Sequence, residues 1–151
     1  MLFRSGILNT SAANMKNMSK NAFINHKAER EVAVKEIKKL RIKTASEKAL
    51  ISSLSGGNRQ KFAIAKWDAN DSDFLIVNSP TRGVDVGAKY EIYKILEDFK
   101  LAGKGILLIS DELPELIGMC DRVYCFKKGE VSGEFSRGLD CTEETVITKM
   151  V

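Results

Sequence analysis

Helical periodicity dominates two long stretches of the chain. Within Lys27–Arg41 and Gly87–Leu101, apolar residues recur at a spacing of three or four and polar residues fill the other positions. This spacing predicts two amphipathic helices. Their apolar stripes are Ala33, Ile37 and Leu40 in the first and Ile92, Ile95, Leu96 and Phe99 in the second. Ser55 ahead of an apolar run predicts a third helix to about Ala69.

Short apolar runs predict strands that alternate with the helices. Phe74–Val77 and Gly105–Ile109 are continuously apolar, which is typical of strands buried on both faces. Arg122–Phe126 is a third predicted strand, and the turn at Lys128–Gly129 leads into a half-exposed one. With a short helix over Leu113–Met119 between them, these strands predict an α/β domain with a mostly parallel sheet.

The predicted elements divide the chain in two parts. Residues 1–70 form a helical part, of which residues 1–25 are polar, lack a clear period and are predicted to be irregular. Residues 71–151 form the α/β part, and the tail from Ser136 is weakly specified. At 151 residues the whole chain has the size of one domain.

Composition narrows the class of protein. Hydrophobic residues make up 44% of the chain, yet no apolar run approaches the roughly 20 residues that span a bilayer. No leader pattern is visible at the start, so a cytoplasmic location is expected. The three cysteines are odd in number and lack CxxC spacing, which favours buried thiols over a disulfide framework or a metal site. The single histidine, His26, is expected at the surface.

Charge is distributed unevenly along the chain. Residues 1–61 carry 13 Lys and Arg against 4 Asp and Glu, whereas residues 62–151 carry 11 against 16. A basic half is compatible with a module that binds an acidic partner or nucleic acid. The lysines lack interleaved aromatic residues, however, so we expect a solvated helix face and no nucleic-acid binding.

The stretch Leu54–Lys61, with the sequence LSGGNRQK, carries the clearest chemical signal. Ser55 is placed to cap a helix, and Gly56 and Gly57 leave the backbone open to a close approach. The N–H groups at such a helix start favour a phosphate or carboxylate. An ordinary capped helix is the alternative interpretation of the same residues.

Several motifs in the same order resemble one family. LSGGNRQK with the apolar helix after it resembles the signature motif of ATP-binding cassette (ABC) ATPases, and Asn58, where most cassettes have Gln, resembles the branch that serves ribose, galactose and xylose importers. Further strings resemble the second nucleotide-binding half of these ATPases: IKTAS, PTRGVDVGAKYEIY, LLISDELPEL and CDRVYCFKKGEVSGEF. The resemblance implies part of a P-loop NTPase-like domain with part of its helical subdomain.

The resemblance also implies which residues form the site. Ser55, Gly56, Gly57 and Asn58 would face the γ-phosphate of ATP bound on an opposite cassette. Thr81–Asp85 would be the D-loop, with Asp85 reaching across the same interface. The alternative for Asp85 is a helix cap or a turn residue ahead of Gly87.

Three departures from the family pattern concern catalysis. No G-x-x-x-x-G-K-[ST] phosphate loop (Walker A) occurs in this sequence. The two carboxylates expected after Phe74–Val77 (Walker B) are Asn78 and Ser79, which lack the charge to help hold Mg²⁺ or to polarise water. The switch histidine expected after Gly105–Ile109 is Asp111. These degenerate positions predict that the isolated chain does not hydrolyse ATP.

The resemblance therefore predicts an ABC subunit, or a fragment of one, of a sugar importer. Its cofactor would be ATP in a shared site, in trans, with Mg²⁺ involved only indirectly, and no metal site of its own. Its partners would be another nucleotide-binding domain and a transmembrane permease at the inner face of the cell membrane. A non-catalytic partner or adaptor domain, and a basic module for an acidic partner, remain alternatives.

Overall fold

The computed structural model describes residues 5–20 and 23–150. The described chain packs as two compact units. The first contains the residues up to Leu75 together with Pro80–Leu107, and the second contains Ile76–Ser79 and the residues from Leu108 onward. These units reflect packing, and the functional boundary that we place at residue 70 stays a prediction.

The secondary structure follows the predicted alternation of strands and helices after residue 70. In chain order the elements are α1 Gly6–Ser11, α2 Met15–Met18, β1 Ser19–Lys20, β2 Phe23–Ile24, α3 His26–Lys39, a 3₁₀ turn Ile51–Ser53, α4 Gly56–Asp68, β3 Phe74–Asn78, α5 Val86–Leu101, β4 Gly105–Ile109, α6 Leu113–Met119, β5 Arg122–Lys127, β6 Glu130–Ser136 and α7 Glu143–Met150.

The first unit is built around the apolar faces of α3, α4 and α5. Ala33 on α3, Leu40 at the C-cap of α3 and all four apolar stripe residues of α5 are buried, as the periodicity predicted. Phe62, Ile64 and Ala65 contribute the buried face of α4. Burial of these side chains is the main favourable term that holds the three helices together.

The prediction that residues 1–25 are irregular is wrong for the part that the structure describes. Ser5 caps α1, which contacts α3 and α4. Thr10 and Ser11 are buried, and the Thr10 hydroxyl donates to the Ile7 carbonyl at 2.9 Å. The Ser11 hydroxyl donates to the Glu29 carboxylate at 2.6 Å, and its oxygen also lies 3.0 Å from the Ile7 carbonyl oxygen. The buried face of α1 is thus polar and hydrogen-bonded, so the sequence shows no apolar periodicity there. Residues 1–4 and 21–22 lie outside the described residues.

β3 and β4 form a small parallel sheet. The Gly105 N–H donates to the Asp73 carbonyl at 2.9 Å, and the Ser79 N–H donates to the Ile109 carbonyl at 2.7 Å. The prediction that both strands are buried on both faces is wrong. In β3, Leu75 is buried while Phe74 and Ile76 are 58% and 60% exposed, and in β4 Leu107 and Ile109 are 45% and 46% exposed. This sheet consists of two strands in the described part of the chain, and no described residue packs over the face of β3 that carries Phe74 and Ile76.

The second unit contains the hairpin of β5 and β6 with α6 and α7. Lys128 and Gly129 both have positive φ, which is the turn that matches the twist of an antiparallel hairpin. β5 thus pairs with the strand that follows it along the chain. The tail is better ordered than predicted, because α7 places Val146 in a core with Val123, Cys125 and Cys141.

No helix in the described part of the chain has the length and apolar character that a bilayer crossing requires. Cys125 and Cys141 are buried free thiols and Cys120 is half-buried, as expected for thiols outside a disulfide framework. The side chain of His26 is exposed, as predicted, although it has an acidic neighbour one turn along α3: its Nδ1 lies 3.1 Å from the Glu29 carboxylate.

Candidate functional site: the start of the signature helix

The signature residues form the first turn of α4. Ser55 is the N-cap, and its Oγ accepts from the Asn58 N–H at 3.5 Å and from Asn58 Nδ2 at 2.9 Å. The helical ladder begins with the Arg59 N–H, which donates to the Ser55 carbonyl at 3.0 Å. The N–H groups of Gly56 and Gly57 precede that first bond, so they have no intrahelical acceptor. The exposed Ser55 therefore stands at a helix start with anion-binding chemistry.

Gly56 and Gly57 lie against the segment that leads into α5. A Cβ on Gly56 would be 3.1 Å from the Gly83 carbonyl oxygen, and one on Gly57 would be only 2.5 Å from Ala88 Cβ. The two helix starts could not approach so closely with a side chain at residue 57. Packing alone thus requires glycine at this position, a second reason beside the anion approach that the sequence suggested.

Asp85 caps α5. Its Oδ1 accepts from the Ala88 N–H at 2.9 Å, which is the capping role that the sequence left open. Because the Gly83 carbonyl and Val84 lie beside Gly56, the structure brings the predicted D-loop and the signature turn together in the first unit. A reach of Asp85 across an interface stays a prediction.

Asn58 and Lys61 anchor the signature helix to its surroundings. Asn58 Oδ1 accepts from the Lys43 N–H at 2.9 Å. Lys61 is 1% exposed, and its Nζ donates to the Arg41 carbonyl at 3.0 Å and to Glu91 at 2.8 Å. The hydrogen bond from Lys61 lowers the pKa of Glu91.

Sequence reasoning missed this anchor. The basic half suggested a solvated face, and lysine is seldom fully buried. The available signal was the position of Lys61 beside Phe62 on the apolar side of α4, since a charge there requires a partner.

The degenerate positions lie in the second unit. Asn78 is exposed at the end of β3, and Ser79 donates its hydroxyl to Asn78 Oδ1 at 3.2 Å from a backbone with φ of 48°. Asp111 is exposed after β4. Across the described residues, no group of three or more His, Cys, Asp and Glu side chains is arranged to hold a metal ion. The Asn78 amide and the Ser79 hydroxyl are both uncharged and are hydrogen-bonded to each other. This strand end therefore lacks the carboxylate that a Mg²⁺ site requires.

Comparison with known sequences identifies the relatives of the chain. No protein-family model matches it. The xylose import ATP-binding protein of Geobacillus kaustophilus is 43% identical over 142 residues, which is 94% of this chain and 28% of that protein. A ribose import ATP-binding protein of Rhizobium meliloti is 44% identical over 92% of this chain and 27% of its own length. The L-arabinose transport ATP-binding protein of Geobacillus stearothermophilus is 51% identical over 73% and 21%.

Solved structures show the same fold at lower identity. A nucleotide-free ATP-binding cassette from an ABC transporter has a TM-score of 0.79 and 19% identity, with 95% of this chain and 59% of that chain covered. A dimeric cassette in a post-hydrolysis state with ADP and phosphate has a TM-score of 0.74 and 21% identity, with 92% and 60% covered. The chain spans between 21% and 28% of the length of these relatives. It belongs to the ATP-binding cassette family and is homologous to part of the ATP-binding proteins of sugar importers.

Proposed function

We propose that the chain supplies a signature face to an ATP site whose phosphate-binding half lies on another cassette. The observation that carries this proposal is the exposed Ser55 cap at the start of α4, next to the Gly83–Asp85 segment. An N-terminal helix turn binds phosphate through its N–H groups and its dipole. This attraction strengthens when a partner excludes water from the site.

The same proposal holds that the isolated chain does not hydrolyse ATP. This sequence has no phosphate loop, and its strand end offers Asn78 and Ser79 in place of two carboxylates. Phosphoryl transfer depends almost entirely on positioning and on charge stabilisation. Without correct positioning and without charge stabilisation, the transition state loses several kcal/mol of stabilisation from each of these two sources.

We further propose the setting in which the chain works. It corresponds to the C-terminal part of the second cassette of a sugar-import ATPase, with a transmembrane permease as its partner, at the cytoplasmic face of the cell membrane. The names of the relatives, which are import ATP-binding proteins for xylose, ribose and arabinose, support this assignment. ATP is the ligand in this setting, and Mg²⁺ arrives with the nucleotide on the opposite cassette.

The alternative of a basic module for an acidic partner has less support. Lys61 is buried against Glu91, Lys39 pairs with Asp68, and Arg30 pairs with Glu47 at 2.8 Å. Part of the positive charge of residues 1–61 is thus neutralised within the first unit.

A single substitution separates anion binding from helix capping. Ser55→Asp keeps a good N-cap, because aspartate caps helices as well as serine does, while it directs a carboxylate toward the bound phosphate. Ser52→Asp adds the same charge at an exposed serine three residues earlier and is the matched control. Gly57→Asp is unsuitable, because any Cβ at residue 57 would collide with Ala88 and disturb the fold.

The experiment measures binding of the chain to the full-length xylose import ATP-binding protein of Geobacillus kaustophilus by analytical ultracentrifugation, with and without Mg²⁺ and a non-hydrolysable ATP analogue. We expect nucleotide-dependent association that Ser55→Asp weakens at least tenfold and Ser52→Asp leaves within twofold. Association that ignores both the nucleotide and Ser55→Asp would overturn the proposal.

A further inference from the structure

A buried carboxyl pair joins α3 to the far end of the signature helix. Glu36 on α3 is 3% exposed, and Asp68, the last residue of α4, is 7% exposed. The two carboxyl groups are hydrogen-bond neighbours. Two buried carboxylates within hydrogen-bonding reach of each other would repel each other strongly if both were ionised.

The two ammonium groups next to the pair both contact Asp68. Lys39 Nζ forms an ion pair with one oxygen of Asp68, and Lys104 Nζ lies 3.4 Å from the other. Both ammonium groups also lie over the ring of Phe99, at 5.3 and 5.5 Å from its centroid, which helps to fix them beside Asp68. Lys104 is shared further with the exposed Asp71 at 3.5 Å.

Glu36 has no such partner. Its Oε2 is buried, and no donor among the described residues is within hydrogen-bond distance of it. An unsatisfied buried carboxylate oxygen costs a large desolvation penalty. A proton on Glu36 removes the charge and supplies an O–H that can donate to Asp68, so the protonated form satisfies both groups.

We infer that Glu36 and Asp68 share one proton between α3 and α4, and that loss of this proton as the pH rises weakens the contact between the two helices. The groups that face Glu36 are Lys35 and Lys39 on its own helix and Asp68 on α4. Lys104 lies beside Asp68 in turn, and Asp71 pairs with Lys104. A cleft of about 220 Å³ lined by Val32, Lys35, Glu36, Lys39, Asp68, Ala69 and Asp71 gives the proton a route to solvent.

The titration properties agree with this geometry. Burial, followed by the hydrogen bond and the negative charge of Asp68, raises the pKa of Glu36 to about 7. Burial also pushes the pKa of Asp68 upward, but the hydrogen bonds from Lys39 and Glu36 outweigh it and leave that pKa below its ordinary value. Asp68 therefore stays ionised while Glu36 holds the proton.

The sign of the pH effect follows from the raised pKa. The folded chain binds this proton more tightly than the unfolded chain, whose glutamate has a pKa near 4.5. The stabilisation is complete at acidic pH and is lost as the pH rises through about 7. The unfolding equilibrium constant should rise about 70-fold between roughly pH 5 and 8 from this group alone.

The direct test is a carboxyl-carbon NMR titration of the whole chain labelled at glutamate. We expect one resonance with a midpoint near 7 that is absent in Glu36→Gln. If every glutamate titrates with a midpoint below about 5.5, well short of the raised value, the inference is overturned.

A second measurement follows urea unfolding across the same pH range. Glu36→Gln mimics the protonated group, so the rise of the unfolding constant between pH 5 and 8 should largely disappear. Glu31→Gln removes an exposed charge from the same helix and should keep the rise seen in the unmodified chain. An equal rise in Glu36→Gln and in the unmodified chain would overturn the inference.

Discussion

The signature turn and the two strand ends differ in how firmly the fold holds them. Residues of the signature turn are tied into the first unit through the Ser55 cap, the Asn58 bridge to Lys43 and the buried Lys61. At the strand ends, the side chains of Asn78 and Asp111 are exposed. The comparison teaches that packing constrains the signature residues, whereas only catalysis would constrain the strand ends.

This difference changes what the motif itself can show. Gly57 and Lys61 have structural reasons to be present, so their match to the family does not demonstrate a nucleotide-binding role. Ser55 is exposed, and its capping role can be kept while its charge is changed. The functional question therefore concentrates on the outward face of Ser55 and its neighbouring N–H groups.

The largest expected effect on stability concerns the Lys61–Glu91 pair, and its size depends on which of the two residues is replaced. Glu91→Gln leaves a buried ammonium opposite a neutral amide, and we expect a loss of about 3 kcal/mol in the free energy of unfolding. Lys61→Met leaves a carboxylate that is 44% exposed and can be hydrated, so we expect a loss of only about 1 kcal/mol.

Urea unfolding at pH 7 measures both variants. A greater loss in Lys61→Met than in Glu91→Gln would show that the signature helix is not anchored by a buried charge. Acid should weaken the unmodified pair too. Because the pKa of Glu91 is lowered in the folded chain, its contribution is lost as the pH falls below the ordinary value of 4.5.

The next effect tests the close approach of α4 and α5. Gly57→Ala places a Cβ 2.5 Å from Ala88 Cβ, and we expect a destabilisation of about 2 kcal/mol from overpacking. Ala88→Gly in the same chain should recover most of that loss, because it removes the atom that collides. The measurement is urea unfolding of the two single variants and the double variant.

Gly118→Ala is the matched control for this substitution. Gly118 lies in α6, and among the described residues nothing comes within 4 Å of the place that its Cβ would occupy. Alanine there should therefore be neutral or stabilise the helix by up to about 1 kcal/mol. If Gly57→Ala behaves like Gly118→Ala, the two helix starts are not in close contact.

The sequence predicted the buried positions correctly where the buried side chains are apolar and missed them where they are polar. The stripes of α3 and α5 were predicted because their buried positions are apolar. α1 was missed because Thr10 and Ser11 are buried with their hydroxyls satisfied. The site was predicted as the capped start of a helix, but its anchor at Lys61 was not, because the partner Glu91 is 30 residues away along the chain.

The smallest expected effect concerns the strand end. Ser79 has a φ of 48°, a region that costs residues with a side chain about 1 kcal/mol. We expect Ser79→Gly to stabilise the chain by about 0.5 kcal/mol, since glycine relieves the strain but makes the unfolded chain more flexible. Ser136→Gly, within β6, should destabilise it by a similar amount. Thermal unfolding compares the two, and a loss in Ser79→Gly would show that this serine is held by more than its backbone.

Complementation of phosphate release tests the central claim most directly. The partner is the Geobacillus kaustophilus protein with its own signature serine replaced by arginine, so that turnover needs a signature face from another chain. We predict that this chain releases no phosphate alone, that it restores turnover in the mixture, and that Ser55→Asp abolishes the restoration while Ser52→Asp does not. Turnover by the chain alone, or a mixture no more active than the altered partner, would contradict the account.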